Sequence, residues 1–132
     1  IVASLVGSEM CIRDRKVVMI SSHSLSHRHF VTESPLPEDM SKEHIYNHSQ
    51  YVWDMKLVDL MREGKMRELI DILPEFTEQT IAETEAGGLT WMMAAMGFPE
   101  YSAEIYGYQS VIGTGNLVAA WDPNSVTREI VL

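Results

Sequence analysis

The stretch VVMISSHSLSHRHF, residues 17–30, joins a short apolar run to a loop that carries three histidines. The run at residues 17–20 is apolar, partly β-branched and followed by two serines, which predicts a buried strand. His23, His27 and His29 come directly after it. Ligands of open α/β sheets bind beyond the carboxyl ends of the strands, so a functional site is expected in this loop. A solvated polar loop explains the same residues, and composition alone leaves both interpretations open.

The first predicted helix covers residues 41–63. An apolar residue recurs at every third position, Asp54 lies off this stripe, and Gly64 is a natural C-terminal stop. The stripe consists of Val52, Met55, Val58 and Met61. His44 and His48, four residues apart, could face one metal ion together, but isoleucine replaces the glutamate that a zinc-protease motif requires. A solvated helix face is the simpler interpretation of this pair.

Two further helices are predicted downstream. A short amphipathic helix begins near Met66 and ends at Pro74. A third helix starts there or at Phe76, runs to Met96 and ends at Gly97. Its second half, LTWMMAAM, is apolar nearly all round and is therefore expected to be buried.

The last part of the chain predicts strands. Residues 103–121 and 128–132 are rich in apolar and β-branched side chains, which suggests two or three strands with a glycine turn at residues 113–115. The sequence GTGN at this turn lacks the third glycine of a dinucleotide fingerprint and the lysine of a P-loop, so no nucleotide site is expected. Strands separated by helices indicate an α/β class, in which helices cover a buried sheet.

Composition and charge exclude several classes of function. The chain has 132 residues, is 45% hydrophobic and carries a net charge of −9, which fits one small globular domain or part of a larger one. The acidic excess argues against nucleic acid as a partner, because phosphate binding needs clustered Lys and Arg. The longest apolar run is shorter than the roughly 20 residues that cross a bilayer, so no membrane association is expected.

The N-terminal stretch SLVGSEMCIRDR, residues 4–15, differs from the rest and holds the single cysteine. Residues 5–15 match the translation of a transposase-type sequencing-library adapter, and such scars are left out of fold reasoning. We therefore expect residues 1–15 to belong to no domain and the genuine sequence to begin near Lys16. Without Cys11, we expect neither disulfides nor thiol catalysis. We expect a reducing, cytoplasmic location.

Two carboxylates, Glu83 and Glu85, precede the apolar half of the third predicted helix. Acidic side chains are commonly enriched near a helix N-terminus, where they meet the positive end of the dipole. A carboxylate aimed into a cleft explains them equally well. Gly87 and Gly88 favour a cleft, because a glycine inside a helix costs about 1 kcal/mol relative to alanine and is tolerated where another group approaches closely.

Four segments, in this order, resemble the catalytic subunit of class III extradiol ring-cleavage dioxygenases of the protocatechuate 4,5-dioxygenase beta-chain type. Within that family the 2-aminophenol 1,6-dioxygenase branch is most similar. The segments are VMISSHSLSHRHF, PEDMSKEHIYNHSQYVWDM, IAETEAGGLTWMMAAM and GYQSVIGTGN…AAW, and they cover nearly all of residues 16–123. The resemblance implies an α/β fragment, a sheet with packed helices that is incomplete at the N-terminus. Residues 16–132 would then be the C-terminal part of a catalytic domain.

The resemblance also implies a cofactor. The family holds one non-haem Fe(II) with two histidines and one glutamate, a facial triad that leaves positions open for substrate and oxygen. The aromatic substrate, a catechol or 2-aminophenol, chelates the iron through adjacent hydroxyl or amino groups, and O2 opens the ring beside them. Relatives form oligomers, many of them with a small second subunit. The two histidine ligands lie upstream of residue 16, so this chain is expected to supply one ligand of three and to be inactive alone.

The motif matches imply roles for particular residues. The family's Leu-Ser-His segment matches residues 25–27, which makes His27 the acid/base residue. Glu83 matches the iron ligand, with Glu85 as its competitor. His23 receives no catalytic role, because relatives often carry Gly or Asn there. The residues implied to line the substrate pocket are His29, Tyr108, Gly113 and Thr114.

Two other classes of function remain open at this stage. A non-catalytic relative on the same fold could bind a partner protein, because fold does not determine function. A zinc site could instead be built from His23, His27 and either His44 or His48.

Overall fold

The computed structural model describes residues 17–27, 45, 47–111 and 113–125. Within these residues, three helices precede an antiparallel hairpin, with a short 3-10 helix before the last of them. The elements are α1 (His48–Glu63), α2 (Met66–Thr80), the 3-10 helix (Glu83–Ala86), α3 (Gly87–Ala95), β1 (Glu104–Val111) and β2 (Thr114–Ala120). Helices together with a paired sheet agree with the predicted α/β class. Within the described residues, no helix is long and apolar enough to cross a membrane.

The hydrophobic core lies among the three helices and extends to the histidine-rich segment before them. Its largest fully buried apolar side chains are Leu57, Met61, Met66, Leu69, Phe76 and Met93. Leu25, from the segment that carries the histidines, is also buried in this cluster. The segment is therefore attached to the core through one apolar side chain.

The ends of α1 follow directly from its sequence. The side chain of Asn47 accepts a hydrogen bond from the Gln50 backbone N–H at 2.8 Å, which caps the N-terminus. At the other end Gly64 adopts a φ of 72°, and its N–H and that of Lys65 donate to carbonyls of the last turn. This is a Schellman motif, so the predicted stop at Gly64 is confirmed. The predicted start at residue 41 lies outside the described residues, but Ile45 forms a β-bridge and Asn47 is extended, so the prediction of helix at residues 45 and 47 is wrong.

The buried face of α1 differs from the predicted stripe. Val52 is 51% exposed, whereas Asp54 is fully buried. The buried residues are Gln50, Asp54, Leu57, Val58 and Met61. A helix turns by about 100° per residue, so a stripe of residues spaced by three does not stay on one face. The observed buried residues are spaced by three and four, which keeps them on one face. The prediction failed because it counted only apolar side chains.

The predicted helix end at Pro74 is wrong. Helix α2 continues through this proline to Thr80. Pro74 is exposed, and its ring removes only one backbone hydrogen bond, while Phe76 continues the buried stripe beyond it. Burial of a large apolar side chain contributes about 1.5–3 kcal/mol, which is comparable to the roughly 3 kcal/mol that an internal proline costs.

The predicted long third helix is also interrupted. Ile81 and residues 84–86 adopt left-handed backbone conformations, and α3 begins only at Gly87. Helix α3 is nine residues long and turns only one face, with Leu89 and Met93, toward the core. Trp91 is 57% exposed, so the expected burial of the whole apolar half is wrong.

The predicted strand at residues 17–20 does not form. Val18 and Ile20 are 82% and 79% exposed, and no ladder bonds are made there. Within the described residues, the chain meets the hairpin only further along, where Leu25 and Ser26 bond to the backbone of Gly115. The glycine turn is confirmed, because Gly113, with φ 72°, separates β1 from β2. Residues 128–132 lie outside the described residues.

Two glycines with the same backbone conformation give a matched test of this fold. Gly64 and Gly97 have φ values of 72° and 76°, but an added Cβ meets the Tyr101 backbone at 2.8 Å only at Gly64. We expect Gly97→Ala to cost about 1–2 kcal/mol from the left-handed backbone alone. Gly64→Ala should lower the free energy of unfolding further, because the backbone of the following loop must move. Urea denaturation of both variants measures the difference, and equal losses would contradict the packing described here.

Candidate active site

The histidine loop, residues 21–27, is held by backbone bonds on two sides. The Leu25 N–H donates to the Gly115 carbonyl at 2.9 Å, and the His27 N–H donates to the Thr80 carbonyl at 3.2 Å. The loop is therefore attached both to the hairpin and to the end of α2.

A buried carboxylate holds the middle of the loop. Asp54 Oδ1 accepts from the Ser26 N–H at 2.9 Å, and Oδ2 accepts from Ser26 Oγ at 2.6 Å and from the Tyr108 hydroxyl at 2.7 Å. A side chain at Gly115 would collide with Oδ2, with the Tyr108 hydroxyl and with Ser26 Oγ. Only glycine fits there, which explains its place in the hairpin. Sequence reasoning missed Asp54, although the spacing of Gln50, Asp54, Leu57 and Met61 could have revealed it.

The buried position of Asp54 affects its ionisation. Burial raises the pKa of this carboxyl above its ordinary value of 3.8, and the hydrogen bonds from Ser26 and Tyr108 act in the opposite direction. The ionised form loses hydration on burial, and three donors offset only part of that loss. The ionised form of Asp54 is therefore less favourable in the folded chain than in water.

Glu83 faces the histidine loop from the turn between α2 and α3. Its Oε2 accepts from the Ser24 N–H at 2.7 Å and from Ser24 Oγ at 2.8 Å. These two bonds lower the pKa of Glu83, with smaller contributions from the nearby His27 and His23. Oε1 has no hydrogen-bond partner within the described residues. Glu83 therefore presents an oriented, ionised carboxylate with one oxygen still available.

The turn that carries Glu83 is strained on both sides. Ile81 precedes it and Thr84, Glu85 and Ala86 follow it, all with φ between 50° and 57°. Each such residue costs on the order of 1–3 kcal/mol, and such strain is concentrated at functional sites. Glu85 is exposed. Of the two predicted carboxylates, only Glu83 bonds to the histidine loop.

His23 packs on the start of α3. Ser21 Oγ lies 2.9 Å from His23 Nδ1, and an added Cβ at Gly88 would meet the same nitrogen at 2.9 Å. Burial lowers the pKa of His23, and the Glu83 carboxylate opposes that shift. Gly88 therefore allows the His23 ring to approach the helix closely, as the pair of adjacent glycines predicted. Gly87 does not, because its nearest neighbour is 3.8 Å away.

Comparison with known proteins gives the family. The model of the catalytic LigB subunit of aromatic ring-opening dioxygenase matches residues 5–119. The chain belongs to this family. It is 48% identical to the 2-aminophenol 1,6-dioxygenase beta subunit of a Pseudomonas species over 108 residues, which is 82% of this chain and 35% of that protein. It is 27% identical to the 3,4-dihydroxyphenylacetate 2,3-dioxygenase of Escherichia coli over 93 residues, which is 70% of this chain and 33% of that protein.

The LigB-family match confirms the predicted resemblance. The chain spans about a third of the length of the curated relatives it matches. The matched range begins at residue 5, inside the stretch expected to be foreign, and the origin of residues 1–15 stays a prediction.

The remaining predicted site residues of this LigB-family chain are dispersed. Tyr108 donates to Asp54 and lies edge-on to the Tyr51 ring, with centroids 6.0 Å apart. Gly113 is buried at the hairpin turn, where it bridges to Ile45, and Thr114 begins β2. His29 and His44 lie outside the described residues, and His48 is exposed at the start of α1. No three His, Cys, Asp or Glu side chains of the described part are grouped to hold a metal ion.

The raised pKa of Asp54 predicts a specific pH dependence of stability. The folded chain holds this proton more tightly than the unfolded chain, so the contribution of Asp54 to stability falls as pH rises from 3.8 through the folded pKa and is constant above it. Asp54→Asn lacks this titration. We expect its free energy of unfolding to increase relative to wild type across that window. Urea denaturation at a series of pH values measures the difference, and a constant difference or one that decreases would contradict a raised pKa.

Proposed function

We propose that this chain is the C-terminal part of an extradiol-type dioxygenase subunit that uses Fe(II) and O2 to open the ring of a catechol or 2-aminophenol. The observation that carries the proposal is the pairing of Glu83 with the histidine loop. Ser24 orients one carboxylate oxygen and leaves the other available, and His27 lies close enough to lower the pKa of the same carboxyl. Family membership and the names of two relatives support the reaction class.

The donor chemistry of the site fits one metal position. An ionised carboxylate oxygen without a partner in the described residues is a suitable Fe(II) ligand, and Glu83 provides it. Two further ligands would come from the part of the subunit upstream of residue 16, as the family resemblance implies. When bound, Fe(II) supplies a centre at which the aromatic substrate and O2 meet.

His27 is suited to move protons beside that centre. Its backbone is held by the Thr80 carbonyl, and its own carbonyl accepts from Gln50 Nε2 at 3.4 Å. The half-buried ring is thus attached to a constrained backbone. An imidazole can accept the proton of a substrate hydroxyl or amino group and release it later to the oxygen product. Ser24 keeps Glu83 oriented during these steps, as hydrogen-bond donors to metal-ligating carboxylates do.

The name of the Pseudomonas relative, a beta subunit, supports an assembly of more than one chain. We propose that the complete subunit works as an oligomer together with a smaller second subunit.

Glu83→Gln and Glu85→Gln form a matched pair that tests the metal ligand. In the complete subunit, restored upstream of residue 16, we expect Glu83→Gln to weaken Fe(II) binding by at least about tenfold, because an amide oxygen carries no charge. Glu85→Gln should retain wild-type iron content, because Glu85 is exposed and does not bond to the loop. Iron content after dialysis measures both. The reverse result would assign the ligand to Glu85.

His27→Ala tests the acid/base role separately from the metal. In the complete subunit we expect this variant to keep its iron and to lose about 10²–10⁴ in turnover, the usual contribution of general acid/base catalysis. Oxygen uptake and iron content, measured on the same preparation, check the prediction. Loss of iron together with turnover would mean that His27 is a ligand.

A further inference from the structure

We propose that Asp54 is a positioning residue for the ring-opening reaction, which acts through Ser26 on the backbone that carries His27. The inference rests on the proposed function, because it concerns the placement of the proposed acid/base residue. Asp54 itself bonds only to Ser26 and Tyr108 among the described residues. It therefore acts through the loop and not on a substrate.

The bonds of Asp54 fix Ser26 in two ways. One carboxylate oxygen holds the backbone N–H and the other holds the hydroxyl of the same residue, at 2.9 and 2.6 Å. The backbone bond restrains the main chain at Ser26, and the hydroxyl bond restrains its side-chain rotamer.

The peptide bond between Ser26 and His27 is held at both ends. The Ser26 carbonyl accepts from the Gly115 N–H at 3.1 Å, and the His27 N–H donates to the Thr80 carbonyl at 3.2 Å. Asp54 restrains the residue immediately before this peptide. Rotation of this peptide plane, which would move the His27 ring, therefore requires breaking the bonds to Gly115 and Thr80, and Asp54 restrains the peptide before it.

The same loop also carries the partner of Glu83. Ser24 lies two residues before Ser26 and holds the proposed metal ligand through its N–H and Oγ. Leu25 between them is buried and bonded to Gly115, so this short segment is held at each of its residues. Fixing Ser26 thus sets the placement of His27 relative to Glu83. A misplacement of about 1 Å in an active site can cost on the order of 100-fold in rate.

The shape and hydrogen bonds of Asp54 can be separated from its charge by one substitution. Removing the carboxylate would leave its buried donors without an acceptor, which is unfavourable. Asparagine has the same shape as aspartate but carries no charge. It can accept from the Ser26 N–H through its oxygen and donate to Ser26 Oγ and the Tyr108 hydroxyl through its nitrogen. Positioning therefore requires the shape and hydrogen bonds of residue 54, not its charge.

The test compares Ser26→Ala, Asp54→Ala and Asp54→Asn in the complete subunit with iron bound. We expect Ser26→Ala to lower kcat by about 10- to 100-fold, with KM changed less than about threefold and iron content unchanged, because the loop loses one restraint. Asp54→Ala should lower kcat at least as much. Asp54→Asn should restore kcat to within about threefold of wild type, because it keeps the bond from the Ser26 N–H and replaces the other two with bonds of the reverse direction.

A stability control separates positioning from folding. Leu69→Ala removes a fully buried side chain on α2. Leu69 lies outside the histidine loop and takes no part in its hydrogen bonds. We expect it to lower Tm at least as much as Ser26→Ala and to leave kcat unchanged. Amide hydrogen exchange of His27 gives a second readout, with faster exchange in Ser26→Ala than in Leu69→Ala.

The outcomes separate the inference from the proposed function. If wild type opens rings and Ser26→Ala retains wild-type kcat, the positioning role is wrong and the function stands. If Asp54→Asn is as damaging as Asp54→Ala, residue 54 acts through its charge and the positioning role is again wrong. If the complete wild-type subunit does not open rings at all, the proposed function fails, and the inference fails with it.

Discussion

The arrangement of this chain depends on a buried carboxylate shared by two hydroxyls and one backbone N–H. Asp54 joins α1 to the histidine loop through Ser26 and to the hairpin through Tyr108. The absence of a side chain at Gly115 allows the carboxylate to reach both. A single buried group thus determines the relative placement of three elements, at a cost in hydration that raises its pKa. The loop is held in place because each of its last four residues, 24–27, bonds to another part of the chain.

The site is built from the two sides of that loop. Ser24 reaches Glu83 on a strained turn, while His27 is held by Thr80 at the end of α2. The strain of the turn has a structural consequence. The chain leaves the helix at Ile81, and Glu83 faces the loop from outside any regular α-helix. The chain belongs to the LigB family, and the roles proposed for this carboxylate and imidazole at one ring-opening centre fit that family.

The parts of the fold that could be predicted from sequence are those with a local chemical cause. Gly64 and Gly113 mark a helix end and a hairpin turn because both need a left-handed backbone. Asp54 was missed because burial of a carboxylate depends on donors that are 28 and 54 residues away in sequence. The break at residues 81–86 was missed because its left-handed residues are not glycines. The helix end predicted at Pro74 was wrong because a proline on the exposed side of a helix can be tolerated when apolar burial continues beyond it. Motif resemblance indicated His27 and Glu83. The structure adds that His27 belongs to the histidine loop and that Glu83 is hydrogen-bonded to the same loop.

The most direct test is the position of the metal ion itself. A crystal structure of the iron-loaded complete subunit, with anomalous data collected at the iron edge, would locate it without reference to activity. The account predicts an iron peak within bonding distance of Glu83 Oε1, with Ser24 still bonded to Oε2 and His27 beside the metal but not coordinating it. An iron peak on Glu85, or direct coordination by His27, would contradict it.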